Sequence, residues 1–478
     1  MRALSHTTET LDQKVQRVFG KMVIDKRRLP SSQLQKRGVP AYVGEWVLDK
    51  IVPGEGPLTP LEAARVQAWA QNNVAAPSDR EIFKHRLARG ERVKLLTHVR
   101  VEIELRGGTP RRVAKITALD LNDVEISDEL LNKYPDLLRH GMWGVVELLY
   151  TSAGPVIVAF NPMQSVVNLD AFKRERVHFT LDEWRDLIVV SMGYRPEVFT
   201  AEEKLILLMR LLPIVQKNMH LMELAPKGTG KSYLYENISP KVRLISGGNV
   251  SPAVLFVNNA TGQWGLLGRF AVVVLDEVQT LRFEKPEEII GGLKGFLANG
   301  RLTRGGLHET SSDCSLVLLA NITLNAAQQP VREPLIEELP RFLRETAFLD
   351  RIRGIIPGWK VPKLSHDSFA CSVGWKADVF GSVLLALRED LGADQYVARR
   401  VQLRGERAYK RNEDAIRAIA SGLMKLLFPD GIVSDADFER YCLQPAIELR
   451  QYVWDQLYSL DAEYRQYDRR LECELLDG

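Results

Sequence analysis

The segment LMELAPKGTGKS, Leu221 to Ser232, carries residue types and a spacing suited to gripping a phosphate. Gly228 and Gly230 lack a Cβ, so backbone N–H groups there can close on phosphate oxygens. Lys231 follows with a positive charge for the β- and γ-phosphates, and Ser232 with a hydroxyl for Mg²⁺. A helix starting near Tyr233 would add the favourable partial charge of its N-terminus. Pro226, Lys227, Gly228, Thr229, Gly230, Lys231 and Ser232 are accordingly read as binding ATP, with Mg²⁺ the implied metal. One position departs from the pattern G-x-x-x-x-G-K-[ST]: its first glycine is Ala225.

An acidic pair, Asp276-Glu277, stands about 45 residues further on, after the apolar run Phe270 to Leu275. Asp276 suits a Mg²⁺ ligand beside Ser232, and Glu277 a base that polarises the attacking water. Asn321 closes another apolar run, Ser315 to Ala320, and is placed to orient that water. Arg351 lies in FLDRIR, where ring ATPases carry an arginine that stabilises charge on a neighbour's transferring phosphoryl group. Arg353 competes for that role, and pairing of Arg351 with Asp350 is the bland alternative. Arg417 falls on a helix from which a lid could reach the γ-phosphate; an ordinary surface arginine is the other reading.

These residues need strands that end together and helices that return the chain. Met222 and Leu224 mark a strand before the glycines, Val242 to Ile245 a second, and the two apolar runs are buried parallel strands by composition. Helices are predicted over Leu181 to Met192, with Thr180 and Glu183 as a capping box, and over Ala201 to Met219. Further helices are predicted over Pro286 to Ala298, Leu339 to Thr346, Lys376 to Leu391, Arg411 to Phe428 and Asp435 to Tyr464. Strand and helix alternate, which makes the middle of the chain α/β with a parallel sheet. Before Asn321, the stretch NGRLTRGG (299–306) reads as a glycine-bounded hairpin carrying Arg301 and Arg304.

The front of the chain is different. Residues 8–50 read as helices, with basic clusters around Arg27 and Arg28 and at Lys36-Arg37. Two more helices follow, Glu62 to Asn73 and Asp79 to Arg89. Val99 to Leu105 then alternates as a half-buried strand does, Arg106 to Arg112 forms a basic turn, and Val113 to Ile116 leads back. With Val124 to Ile126 and Trp143 to Tyr150 this suits a small barrel or a plain sheet. Arg27, Arg28, Arg106, Arg111, Arg112, Arg301 and Arg304 are the candidate contacts to a nucleic-acid backbone. Thr151 to Asn168 is rich in Gly, Pro, Asn and Ser and reads as a boundary.

At 478 residues and 45% hydrophobic content, several globular domains are expected. The net charge of +3 conceals an asymmetry. Residues 1–120 hold 22 Lys+Arg against 13 Asp+Glu, and residues 430–478 hold 5 against 12. A basic front suggests a polyanionic partner. The four scattered cysteines give no zinc or disulfide framework and fit a reducing compartment. No signal-like segment opens the chain, and the apolar run Leu205 to Val215 is too short to span a bilayer and contains Arg210. A cytoplasmic protein with no membrane contact is expected.

Taken together, several segments resemble the Lon-related AAA+ proteins of BREX phage-exclusion systems (the BrxL family). They are MELAPKGTGKSYLYENISPKVRLISGGNVSPAVLF, VVVLDEVQTL, GRLTRGG with LVLLAN, FLDRIRGIIPGW and AIRAIASGLMKLLFPDG. VPAYVGEWVL and VEISDELLNKYPDLLRHGMWGVVEL extend the match into the front half. The resemblance implies an AAA+ P-loop ATPase core with an N-terminal α+β DNA-binding region and a C-terminal helical lid. It also implies a hexameric ring (possibly paired rings) around double-stranded DNA, acting with other BREX components. By motif, Lys231 and Ser232 become Walker A, Asp276 and Glu277 Walker B, and Asn321 sensor 1. Arg351 becomes the arginine finger, Arg417 sensor 2, and Arg301 and Arg304 part of a pore hairpin.

Longer family members carry a Lon-protease-like domain after the lid. Here no lysine follows Lys425, so a Ser–Lys dyad is not expected in the tail and proteolysis is not expected of this chain. The expected divisions are a basic helical region (1–95), a small β-rich barrel-like domain (96–165), the ATPase core (166–360) and the lid with an acidic tail (361–478). The expected function is an ATP-hydrolysing motor or clamp on duplex DNA. A protein unfoldase feeding a separate protease and a non-hydrolysing structural ring are the alternatives. The arginine- and glycine-rich hairpin, without an aromatic residue, favours a polyanion over an unfolded polypeptide.

Overall fold

The computed structural model describes residues 9–105, 110–163, 165, 167–259, 262–304, 308–405 and 407–476. Its centre is a five-stranded sheet in the order Gly354–Pro357, Leu221–Ala225, Ser315–Asn321, Val272–Asp276, Val242–Ser246, with every neighbour parallel. The inner strands are buried almost throughout, which explains their largely apolar composition, with Glu223 the buried exception. Register brings Asn321 opposite Ala225 and Asp276 opposite Ser246, so the carboxyl ends of these strands form one edge. Ligands of open α/β sheets bind at that edge. The fold is α/β with an AAA+-like core.

The front half contains a closed five-stranded barrel built from Val93–Glu104, Arg111–Ile116, Leu121–Glu125, Met142–Thr151 and Gly154–Pro162. The last strand falls inside the stretch read from composition as a boundary. Its residues 154–162, GPVIVAFNP, bury Ile157 and Phe160 in the barrel core and pair along Met142–Thr151. The turn chemistry flanking it obscured the strand. Arg106 lies outside the described residues.

Three helices, Arg28–Ser32, Ala41–Ile51 and Pro60–Asn73, pack as a separate cluster beside the barrel. The first helix, Leu11–Phe19, does not join them. Val15 and Phe19 enter the core of the ATPase region, and Val23–Asp25 pairs antiparallel with Val373–Trp375. The capping box at Thr180 and Glu183 forms as expected. The predicted helix Leu339 to Thr346 is instead a series of short turns, Leu335–Glu338, Arg341–Arg344 and Thr346–Leu349. The break falls at Glu345, whose ψ of 128° is not helical. After the core, Ala377–Glu389, Lys410–Leu427 and Gln444–Leu460 are the principal helices of the C-terminal region. No helix among the described residues is long and apolar enough to cross a membrane.

Candidate functional site

The loop after Leu221–Ala225 turns through Gly228 and Gly230, both at positive φ (88° and 75°). Lys231–Asn237 then begins a helix directly beneath it. Three successive carbonyls of the loop are held by donors from outside it. Gly228 O accepts from the backbone of Leu364 at 2.8 Å, Thr229 O from Arg210 Nη1 at 3.0 Å, and Gly230 O from the Tyr194 hydroxyl at 2.9 Å. With these carbonyls engaged, the N–H groups are left for an anion, as a phosphate nest requires.

Arg210 and Glu223 are both 0% exposed and form a forked ion pair, closest contact 2.7 Å. Burial disfavours the Arg210 charge, yet the Glu223 carboxylate holds its pKa above the ordinary value. In the sequence Arg210 counted only as a charge interrupting an apolar run. A carboxylate inside the buried strand Leu221–Ala225 was the unused signal, since such a charge needs a buried partner.

Ala225, where the pattern has glycine, is accommodated by its neighbour. Gly358 follows the adjacent edge strand, and a Cβ built there would lie 2.6 Å from Ala225 Cβ and 2.6 Å from Glu223 Oε1. The methyl present at 225 thus occupies space left free at 358.

Five predicted residues meet at the strand ends. Lys231 Nζ donates to Asn321 Oδ1 at 2.7 Å and to Pro226 O at 3.3 Å. Lys231 is 6% exposed, and burial pulls its pKa down against the pull of Glu223 and Asp276. Ser232 Oγ donates to Asp276 Oδ2 at 2.7 Å. Glu277 adopts φ 46°, a left-handed conformation uncommon outside glycine, with its N–H on Asp276 Oδ1 at 2.9 Å. Asn321 Nδ2 lies 3.4 Å from Glu277 Oε1, so one amide touches both the lysine and the glutamate. Gln279, which sequence reasoning missed, fixes Asn321 by its backbone: its amide donates to Asn321 O, and Asn321 N donates to its Oε1 at 3.3 Å.

The remaining candidates lie elsewhere. Arg351 Nη1 turns back to the Ala347 carbonyl, and its Nε has no partner among the described residues. Asp350 is engaged instead by Arg411, Arg450 and Tyr409 of the C-terminal region. Arg353 is tied to Asn218 O at 2.8 Å and Asp414 O at 3.4 Å, so Arg351 has the freer head. Arg417 is held within the C-terminal helical region by Val401 O at 2.7 Å and Glu413 at 2.9 Å, not at the glycine loop.

Most candidate nucleic-acid arginines are already neutralised. Arg28 is 2% exposed and caps the carbonyls of Val52 and Gly56, which removes it from any backbone contact. Arg27 forks onto Asp25, Arg111 pairs with Asp123 at 2.7 Å, and Arg112 pairs with Asp128. Arg301 sits 3.5 Å from Glu309 across a hairpin formed by Arg301–Arg304 and His308–Ser311. Arg304 lies on the first of those strands.

Strand order and the glycine loop's place at the strand ends define an AAA+-like α/β core. Residues 156–470 match the family model described as Lon-like protease BrxL-like, ATPase domain, and residues 17–150 match the BREX system Lon protease-like protein BrxL N-terminal model. The chain is 28% identical over 458 residues to the Lon-like protease BrxL of Escherichia coli O9:H4 (strain HS), covering 94% of this chain and 65% of that protein. It is 29% identical over 462 residues to the Lon-like protease BrxL of Bacillus cereus (strain H3081.97), covering 95% and 67%. It thus spans about two thirds of the length of these curated relatives. A full-length MCM homolog from Methanopyrus kandleri shows a distant likeness, with 14% identity, a TM-score of 0.39, and 88% of this chain and 100% of that chain covered. This chain belongs to the BrxL family of BREX systems.

Proposed function

We propose that this chain is a Mg²⁺-dependent ATPase that assembles as a ring on duplex DNA and uses hydrolysis to move along or clamp it in BREX defence. The observation that carries the ATPase reading is the continuous contact from Lys231 through Asn321 to Glu277, beside Ser232 and Asp276. Pro226 to Ser232 would enclose the phosphates, with Lys231 countering β- and γ-charge. The Ser232 hydroxyl and the Asp276 carboxylate form an all-oxygen donor pair suited to Mg²⁺. Held there, Mg²⁺ would supply positive charge against the negative charge that develops on phosphoryl transfer.

Glu277 is the proposed base, and its left-handed backbone turns the side chain toward Asn321. Asn321 would orient the attacking water and register the γ-phosphate, because a phosphate that draws Lys231 away alters the amide's contact with Glu277. Arg351, free of carboxylates among the described residues, is the proposed finger toward a neighbouring subunit. Arg417 is the proposed lid contact, and to serve it must leave Glu413.

The DNA reading is supported by BREX membership, by the basic front of the chain and by a core hairpin whose described residues carry no aromatic side chain. Proteolysis is not part of the proposal. The test is Glu277→Gln, which should bind ATP as tightly as the wild type and hydrolyse it about 100-fold more slowly or worse. Wild-type turnover in that variant would remove Glu277 from the mechanism.

A further inference from the structure

A cleft of about 1000 Å³ opens between the barrel and the ATPase sheet. Its barrel side carries Arg100 and Glu102, and its other side Lys241, Trp264, Arg269 and Phe270. Gln263 Nε2 crosses the seam to Glu102 Oε2 at 3.2 Å.

The carboxylates of this cleft are already engaged. Glu102 holds Lys115 at 2.8 Å and Arg100 at 3.3 Å, and Asp136 holds Arg139 at 3.4 Å. Asp313 and Glu389 share Lys217 at 3.1 and 2.7 Å. Arg388 spends its guanidinium on backbone carbonyls. Half-buried Lys241 and Arg269 have no carboxylate partner among the described residues, and Arg269 Nε is buried without an acceptor. Exposed Arg243, two residues along the edge strand from Lys241, lines the adjoining cavity with His98 and likewise has no carboxylate partner among the described residues.

Like charges therefore crowd the seam. Burial, with Arg100 and Arg243 pressing on it and Glu102 only partly offsetting them, lowers the Arg269 guanidinium to about 10. Burial and neighbouring cations likewise lower His98 and His140 to about 4. A protein folding for stability alone gains nothing from this arrangement, whereas an arriving anion relieves it. Trp264 and Phe270 place aromatic faces among the cations, the combination that tracks a nucleic-acid strand.

We infer that this seam, through Lys241, Arg243 and Arg269, binds the phosphodiester backbone of nucleic acid. The inference rests on the DNA reading above and moves the contact from the neutralised tip arginines to the junction of barrel and core. Lys241 leads into Val242–Ser246, which pairs in register with Val272–Asp276 and ends opposite Asp276. Lys241 thus stands at the start of the strand that ends beside the acidic pair.

The experiment is Lys241→Gln, Arg269→Gln and the double variant in the full chain. Fluorescence anisotropy would be read with a labelled duplex and with its single strand across a salt series, alongside thermal unfolding and sedimentation. Each cation removed from a phosphate should lower the slope of log K against log salt by about 0.9 for duplex, with affinity falling about tenfold in the double variant. The variants should melt at or above the wild-type temperature, because they remove like-charge repulsion. Unchanged affinity and slope would overturn the inference, as would a failure of ring assembly with DNA affinity intact, which would assign the cluster to a subunit interface. A wild-type protein that binds neither duplex nor single strand would defeat the DNA reading itself, and the seam with it.

Discussion

Arg210 offers a test in which stability and function separate. Replacing it with Met leaves the Glu223 carboxylate unpaired at a position with 0% exposure. Breaking a buried pair in this way costs about 3–5 kcal/mol. At about 2 °C per kcal/mol for a domain of this size, the ATPase core should melt about 6–10 °C lower. Arg210→Met combined with Glu223→Leu removes both charges, and such replacements are often neutral or stabilising, so most of that loss should return. Nucleotide affinity should not return with it. Thr229 O still lacks the donor now 3.0 Å away, a charge-assisted bond worth about 1.5–3 kcal/mol, and its peptide is free to rotate. A fluorescent ATP analogue should therefore bind the double variant about tenfold more weakly or worse, that is by about 1.4 kcal/mol. If the double variant recovers both melting temperature and ATP affinity, Arg210 serves the fold and does not shape the phosphate loop.

Other perturbations isolate single features. Arg351→Ala should lower hydrolysis about 1000-fold while leaving ATP affinity intact, and mixing it with Glu277→Gln subunits should restore part of the activity, because each supplies what the other lacks. Activity that stays absent in the mixture would place Arg351 outside a neighbour's site. Gly358→Ala should destabilise by about 1–3 kcal/mol through the contact with Ala225, and the added change Ala225→Gly should recover part of it in thermal unfolding. His98 is lowered from 6.5 to about 4, so the unfolded chain takes up its proton first, and its contribution to stability is present above pH 6.5 and lost as pH falls toward 4. His98→Gln should show a shallower loss of melting temperature across that window, and identical acid profiles would contradict the assignment.

The candidate glycine loop and acidic pair were legible because their signals are local. Glycine, lysine and carboxylate each stand at the end of a strand that its own apolar composition declares. The long C-terminal helices were legible as well. What stayed hidden depends on residues far apart in the chain. Gly358 meets Ala225 only through strand pairing, and Gln279 meets Asn321 only because two strands end side by side. The candidate DNA arginines show the converse. The charge on Arg111 and Arg112 was plain in the sequence, but its cancellation by Asp123 and Asp128 was not. Lys241 and Arg269 looked ordinary until the fold set them in the cleft beside the barrel, with no carboxylate partner among the described residues.

The central claim is that a P-loop core hydrolyses ATP in response to DNA. The most direct measurement is steady-state ATP hydrolysis at fixed salt without addition, with duplex DNA, and with an unfolded protein. Stimulation by duplex alone, abolished by Lys231→Ala, is the predicted result. Stimulation by unfolded protein alone, or duplex-dependent turnover that survives Lys231→Ala, would contradict it.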